Sequence, residues 1–67
     1  MAAPIVVHPP EPTGGRRVTG GDRRLGIARQ PADVVEFIRR AGMHLDDIRL
    51  DDPELVEWRG GGPEVWE

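Results

Sequence analysis

The chain has 67 residues and a formal net charge of −3, which limits it to one small domain. Only 37% of its residues are hydrophobic, and it carries nine glycines and seven prolines, so we expect a thin core interrupted by turns. Cysteine, serine, lysine, asparagine and tyrosine are absent from the sequence. Their absence excludes disulfides, thiolate metal sites, serine or tyrosine nucleophiles and Schiff-base lysines.

Residues 1–15 are predicted to form an extended, proline-rich arm. Ile5, Val6 and Val7 favour a β-strand, but prolines follow them, and a proline cannot donate a hydrogen bond to a sheet. The arm therefore either forms an edge strand of its own sheet or adds a strand to a neighbouring copy, which would give a homodimer.

The N-terminal residues also bear on location. No basic residue precedes the short apolar run, and no small-residue cleavage pattern follows it, so a secretory signal is not predicted. No apolar stretch approaches the ~20 residues that span a membrane. We therefore expect a cytoplasmic protein without a membrane partner.

Residues 16–59 are predicted to form the single folded domain, which begins with a β-hairpin over 16–29. A Gly-Gly-Asp sequence supplies the turn, because glycine readily adopts positive φ. Val18 on the first strand, and Leu25 and Ile27 alternating on the second, are predicted to face the core.

A helix is predicted from about Pro31 to Ala41. Proline suits the first helical position and Gly42 is a natural stop, whereas Gln30 is a weak N-cap. Four apolar residues recur at the helical spacing and form one stripe toward the core: Val34, Phe37, Ile38 and Ala41.

The segment after the helix leaves one assignment open. The sequence DPE at 52–54 is typical of a helix start, whereas LVEW at 55–58 alternates as a strand does. We favour a turn followed by a final strand through Arg59. Trp58 is expected in the core, because the chain has only three aromatic residues.

Residues 60–67 are predicted to form a glycine-rich hinge and a tail that carries Trp66. Trp66 either folds back over the thin core or stands out as an anchor for another protein, since tryptophan is a frequent binding hot spot. On the second interpretation, the candidate protein-binding residues are Trp66, Trp58 and Arg59.

Charge is unevenly divided along the chain. Residues 1–40 hold seven arginines and four acids, whereas residues 41–67 hold two arginines and eight acids. The simplest interpretation is that the acidic segment folds across the arginine-bearing hairpin through solvated ion pairs, which stabilise a fold only modestly.

The same arginines suggest an alternative function, nucleic-acid binding. The hairpin region carries five candidates for phosphate contacts: Arg16, Arg17, Arg23, Arg24 and Arg29. Guanidinium groups match phosphate oxygens in bidentate fashion. However, adjacent strand residues point to opposite faces, the net charge is negative, and no aromatic residue lies among these arginines for base stacking. We therefore rank this function below protein binding.

The sequence predicts neither an enzyme nor a cofactor. His44 lies near Asp46, Asp47, Asp51 and Asp52, but the spacing matches no established metal site, so we interpret these acids as surface residues. No nucleophile has a base nearby in the sequence, and no glycine-rich loop is followed by lysine.

Three stretches together carry a resemblance that covers nearly the whole chain: HPPEPTGGRRV, LGIARQPADVVEFIRRAGM and LDDPELVEWRGGGPEVWE. The chain resembles short uncharacterised proteins that recur in GC-rich Gram-positive (actinobacterial) bacteria. That group has no assigned activity. The resemblance therefore implies a self-contained small protein and transfers no catalytic residue.

Taken together, these features predict a small α+β domain of ββαβ type. We expect a mainly antiparallel sheet of about three strands with one helix packed on one face. The expected function is a non-enzymatic accessory or regulatory module that binds another protein or a second copy of itself.

Overall fold

Four strands and one helix make up the regular structure in the computed structural model, which describes residues 3–42 and 48–66. In chain order the elements are β1 (Ile5–Pro10), β2 (Arg16–Gly20), β3 (Arg23–Ala28), α1 (Pro31–Arg40) and β4 (Val56–Trp58). The predicted α+β class is confirmed. The open assignment at 53–58 resolves as a turn followed by a short strand.

The sheet differs from the prediction in having four strands and mixed direction. Its order is β3-β2-β1-β4, with β1 and β4 parallel and the other pairs antiparallel. The parallel pair arises because the chain crosses the sheet through α1 before it returns beside β1.

The stretch 1–15 supplies β1, which is a central strand with hydrogen bonds on both sides, so the prediction of an edge strand is wrong. Ile5, Val6 and Val7 pair with the three residues of β4 and also with β2. Pro9 and Pro10 come after the last residue paired with β4, so their missing N–H groups cost no hydrogen bond on that side.

Helix α1 begins and ends close to the predicted positions. Gln30 is the N-cap without a side-chain cap hydrogen bond, and Ala41 is the C-cap. The carboxylate of Asp33 instead accepts a hydrogen bond from the backbone N–H of Arg29, at 2.9 Å. An acid in the first turn thus ties the helix to the end of β3.

The core lies between α1 and one face of the sheet, and it is small. Its buried residues are Ile5, Val7, Val18, Ala28, Val34, Ile38, Leu55 and Val56. Ala41, predicted at the end of the helical stripe, is exposed. The helical stripe therefore contributes only its first three residues to the core, because Ala41 lies beyond the last turn of α1.

A β-bulge in β3 changes which residues face the core. Arg24 pairs with Thr19 and Gly26 pairs with Val18, so Leu25 is an extra residue on β3. The prediction that Ile27 faces the core is wrong, because the extra residue turns it to the opposite face, where it is 41% exposed.

Acidic and basic residues are separated across the sheet. Strand β3, with Arg23 and Arg24, forms one edge, and β4, with Glu57, forms the other. Residues 59–65 do contact the hairpin, through main-chain carbonyls that bind Arg16, but no salt bridge joins the acidic segment to the hairpin among the described residues. Within those residues the salt bridges are local: Arg40–Glu36, Arg49–Asp51 and Arg59–Glu57. His44, Asp46 and Asp47 lie outside the described residues.

Candidate functional site

Trp58 and Trp66, predicted as protein-binding residues, lie against each other inside the fold. Both side chains are half-buried and pack on the core. Their ring centroids are 6.1 Å apart, and the rings meet edge to face. The indole N–H of Trp58 donates to the carbonyl of Leu50 at 2.7 Å, and that of Trp66 donates to the carbonyl of Pro63 at 2.8 Å. Trp66 is thus folded back against the sheet.

The two indoles enclose the guanidinium group of Arg16. Its central carbon lies 5.2 Å from the ring centroid of Trp58 and 5.8 Å from that of Trp66, within the range of cation–π contacts. Arg16 is 0% exposed and alternates with the buried Val18 along β2. The pleat of β2 therefore directs this arginine inward.

Each N–H of the Arg16 guanidinium points at a main-chain carbonyl oxygen. The five acceptors, all at 2.7–2.8 Å, belong to His8, Arg59, Gly61, Gly62 and Val65. This saturates the five donors that an arginine side chain carries. We call the arginine, its five acceptors and the two indoles the Arg16 staple.

The Arg16 staple holds a cation without an ion pair among the described residues. Burial lowers the pKa of Arg16, and the charge of Glu64 opposes that shift. The group stays protonated at neutral pH because the ordinary pKa of arginine is so high. Carbonyl dipoles and aromatic faces thus replace a carboxylate, and they join β2 to residues 59–65.

The five arginines predicted as phosphate contacts do not form one surface. Arg16 is buried, and Arg17 lies half-buried on the face of the sheet away from α1. The Nε atom of Arg17 is buried without a hydrogen-bond partner within the part of the chain that the structure describes. Arg23 and Arg24 are exposed at the start of β3, and Arg29 is exposed beyond its end.

The face of the sheet away from α1 carries an imidazole beside a hydroxyl. Nε2 of His8 lies 3.0 Å from Oγ1 of Thr19. Burial lowers the pKa of His8, the charges of Arg17 and Arg59 lower it further, and Glu57 opposes them. Arg59, the third predicted protein-binding residue, is exposed on this side and forms an ion pair with Glu57.

A pocket of about 510 Å³ opens where the β2–β3 hairpin meets the C-terminal end of α1. We call it the basic pocket, because its floor is apolar and its rim is cationic. The buried or half-buried floor residues are Ile5, Leu25 and Phe37, and the exposed rim residues are Arg23, Arg24 and Arg40.

Local features of the sequence build this pocket. The bulge in β3 places Leu25 on the side of α1, against Gly20. Phe37 lies directly over Gly26, where a Cβ atom would come within 2.7 Å of the ring. Gly20 and Gly21 also line the pocket, so the turn adds no side chain to its mouth.

A second concavity, of about 780 Å³, lies between the loop after β1 and the C-terminal segment. Glu11, Thr13 and Arg29 contribute to a lining that is more polar than apolar. It lacks a continuous apolar floor, so it offers less to a ligand than the basic pocket does.

Sequence reasoning missed both the Arg16 staple and the basic pocket. An arginine is expected on the surface, and only the alternation of Arg16 with Val18 hinted that it points inward. The rim of the pocket joins Arg23 and Arg24 to Arg40, which comes from another element. No local pattern connects these positions.

Among the described residues, no helix has the length and apolar character needed to cross a membrane, and no group of three or more acidic or histidine side chains is placed to hold a metal. Comparisons of the chain with protein-family models, with curated proteins and with solved structures found no match.

Proposed function

We propose that this protein is a small non-enzymatic protein-binding module whose contact surface is the basic pocket. The observation that carries the proposal is an apolar floor that stays open to solvent in a chain with a very small core: the half-buried Leu25 and Phe37 form it, beside the buried Ile5. Exposed apolar patches that are bordered by polar residues are typical of protein interaction sites.

The location of the tryptophans supports placing the contact surface at the pocket. Trp58 and Trp66 contact Arg16, and their N–H groups have internal acceptors, so their exposure to a partner would require breaking the Arg16 staple. Binding at the basic pocket needs no such rearrangement. The non-enzymatic part of the proposal is supported by the position of His8 and Thr19, which lie outside the pocket lining.

Nucleic-acid binding through the hairpin has weaker support. Arg16 is buried, and Arg17 lies on the other face of the sheet from the pocket. Only Arg23 and Arg24 of the five candidates line the basic pocket. Together with Arg40, which is paired with Glu36, these arginines give a small phosphate footprint.

The test is a selection of random peptides on the immobilised protein, with two matched variants. Ala41→Trp places a large side chain at the pocket wall, and Ala32→Trp places the same side chain at the other end of α1, where the residue is exposed. Peptides enriched on the wild type are expected to bind Ala32→Trp and to lose binding to Ala41→Trp. No enrichment, or equal binding to both variants, would count against the proposal.

A further inference from the structure

We propose that the ligand of the basic pocket is an acidic segment of another protein, with one bulky apolar side chain seated on Leu25 and Phe37 and flanking carboxylates on Arg23 and Arg24. This inference rests on the proposed function and names the chemistry of the partner.

The first step is the charge of the rim. Three guanidinium groups surround one opening, and Arg23 and Arg24 make no salt bridge within the described residues. Arg40 pairs with Glu36 at 2.6 Å on the exposed face of α1, so it is partly neutralised. The rim is therefore cationic, and carboxylates are the protein groups that match guanidinium forks.

The second step is the size and nature of the floor. A volume of about 510 Å³ exceeds what one guanidinium-bound carboxylate fills, and the floor beneath the rim consists of the half-buried Leu25 and Phe37 beside Ile5. Such a floor gains most from a leucine-sized or aromatic side chain. A purely ionic ligand, such as a phosphate backbone, would leave it open to water.

The third step is the source of the segment. Acidic and apolar residues occur together at 45–52, 52–56 and 64–66. The apolar side chains of Ile48, Leu50 and Leu55 pack in or against the core, as does Trp66, and residues 45–47 lie outside the described residues. Leu55 is 8% exposed, and Trp66 lies against Arg16. A second copy would have to open its own core to supply any of these side chains. We therefore take the partner to be a different protein, and the light-scattering measurement below distinguishes it from a second copy.

The experiment uses a labelled peptide with one central leucine flanked by aspartates, and two matched peptides. One has lysine in place of each aspartate, and the other has glycine in place of leucine. At low salt we expect the acidic peptide to bind at least about tenfold more tightly than either matched peptide, with an affinity that falls as salt is raised.

Variants locate the contact. Arg23→Gln with Arg24→Gln is expected to weaken binding of the acidic peptide about tenfold, whereas Arg39→Gln, an exposed arginine of α1 outside the pocket, is expected to leave it unchanged. Circular dichroism checks that each variant is folded.

Four outcomes would overturn the inference. Equal binding of the aspartate and lysine peptides would remove the charge requirement, and equal binding of the leucine and glycine peptides would remove the apolar one. Tighter, arginine-dependent binding of a single-stranded oligonucleotide would make the ligand a nucleic acid. Self-association that the double arginine variant abolishes, measured by light scattering, would make it a second copy. The first two results would leave the proposed function standing if the peptides selected on the wild type still lose binding to Ala41→Trp. The proposed function itself fails if that selection enriches no peptide or if the peptides bind Ala41→Trp and Ala32→Trp equally.

Discussion

Replacing Arg16 tests the most unusual feature of the fold, a fully buried cation bound by backbone oxygens. Arg16→Met keeps much of the apolar stem but removes five charge-assisted hydrogen bonds of 2.7–2.8 Å. Some of the released carbonyl oxygens, such as those of the exposed Arg59 and Gly61, regain water, so the cost is less than five separate bonds.

We estimate a loss of about 3–5 kcal/mol in the free energy of unfolding for Arg16→Met, as for other broken buried polar networks. A core of this size supplies only about 3–5 kcal/mol in total. The variant is therefore expected to be largely unfolded. Arg16→Lys retains the charge but has three donors for five acceptors, so we expect a loss of about 2–3 kcal/mol.

Urea denaturation followed by tryptophan fluorescence and circular dichroism measures both effects. Arg24→Met is the matched control, because Arg24 is exposed and outside the Arg16 staple. An Arg16→Met variant within about 0.5 kcal/mol of the wild type, the usual range of surface changes, would refute the reasoning.

Chemical rescue separates hydrogen bonding from packing. In Arg16→Ala the five carbonyl oxygens and the two indoles are left around a vacated guanidinium site. Millimolar guanidinium is expected to raise the folded fraction of this variant in the absence of urea, measured by circular dichroism, and methylammonium at equal ionic strength is not, because only the planar ion offers donors in the required fork. Equal effects of the two ions would indicate a general salt effect instead.

Three further predictions concern other parts of the fold. Gly26→Ala is expected to lower the free energy of unfolding by about 2 kcal/mol or more, because the φ of Gly26 is +152° and the new Cβ would lie 2.7 Å from the ring of Phe37. Gly21→Ala is the control: no atom lies near the new Cβ, so the same urea assay should show a smaller loss. Truncation after Arg59 removes three of the five acceptors of the Arg16 staple, so thermal melts should lose their cooperative transition; an unchanged melt would contradict the structural role of the segment. Burial and neighbouring guanidinium groups lower the pKa of His8 below 6.5 in the folded protein, so at acidic pH the unfolded chain binds a proton at His8 more readily than the folded one does. The free energy of unfolding should therefore be at its full value above pH 6.5 and decrease as the pH falls below 6.5. His8→Gln should show a smaller decrease between about pH 7.5 and pH 5.5, and an equal decrease in both proteins would disprove the assignment.

The sequence by itself determined the elements whose signals are local. Helix α1 follows from an apolar stripe bounded by Pro31 and Gly42, and the hairpin follows from two short strands joined by a glycine turn. Each of these patterns lies within a few residues, so the period of the side chains is enough to predict it.

The tertiary structure decided everything that depends on residues distant in the chain. One extra residue at Leu25 turns Ile27 away from the core. A glycine within a strand, such as Gly26, is typical of a bulge or a close neighbour, but it does not say which residue is the extra one. The parallel pairing of β4 with β1 depends on where the chain returns after α1.

The Arg16 staple and the basic pocket also depend on residues that are distant in the chain. Arg16 is bound by carbonyls more than 40 positions away, apart from that of His8, and the basic pocket joins the hairpin to the end of α1. A sequence pattern gives the side-chain period of one segment. The burial of Arg16 and the apolar floor of the basic pocket arise only when separate segments pack together. This is why the five arginines considered as phosphate contacts proved to have three different environments.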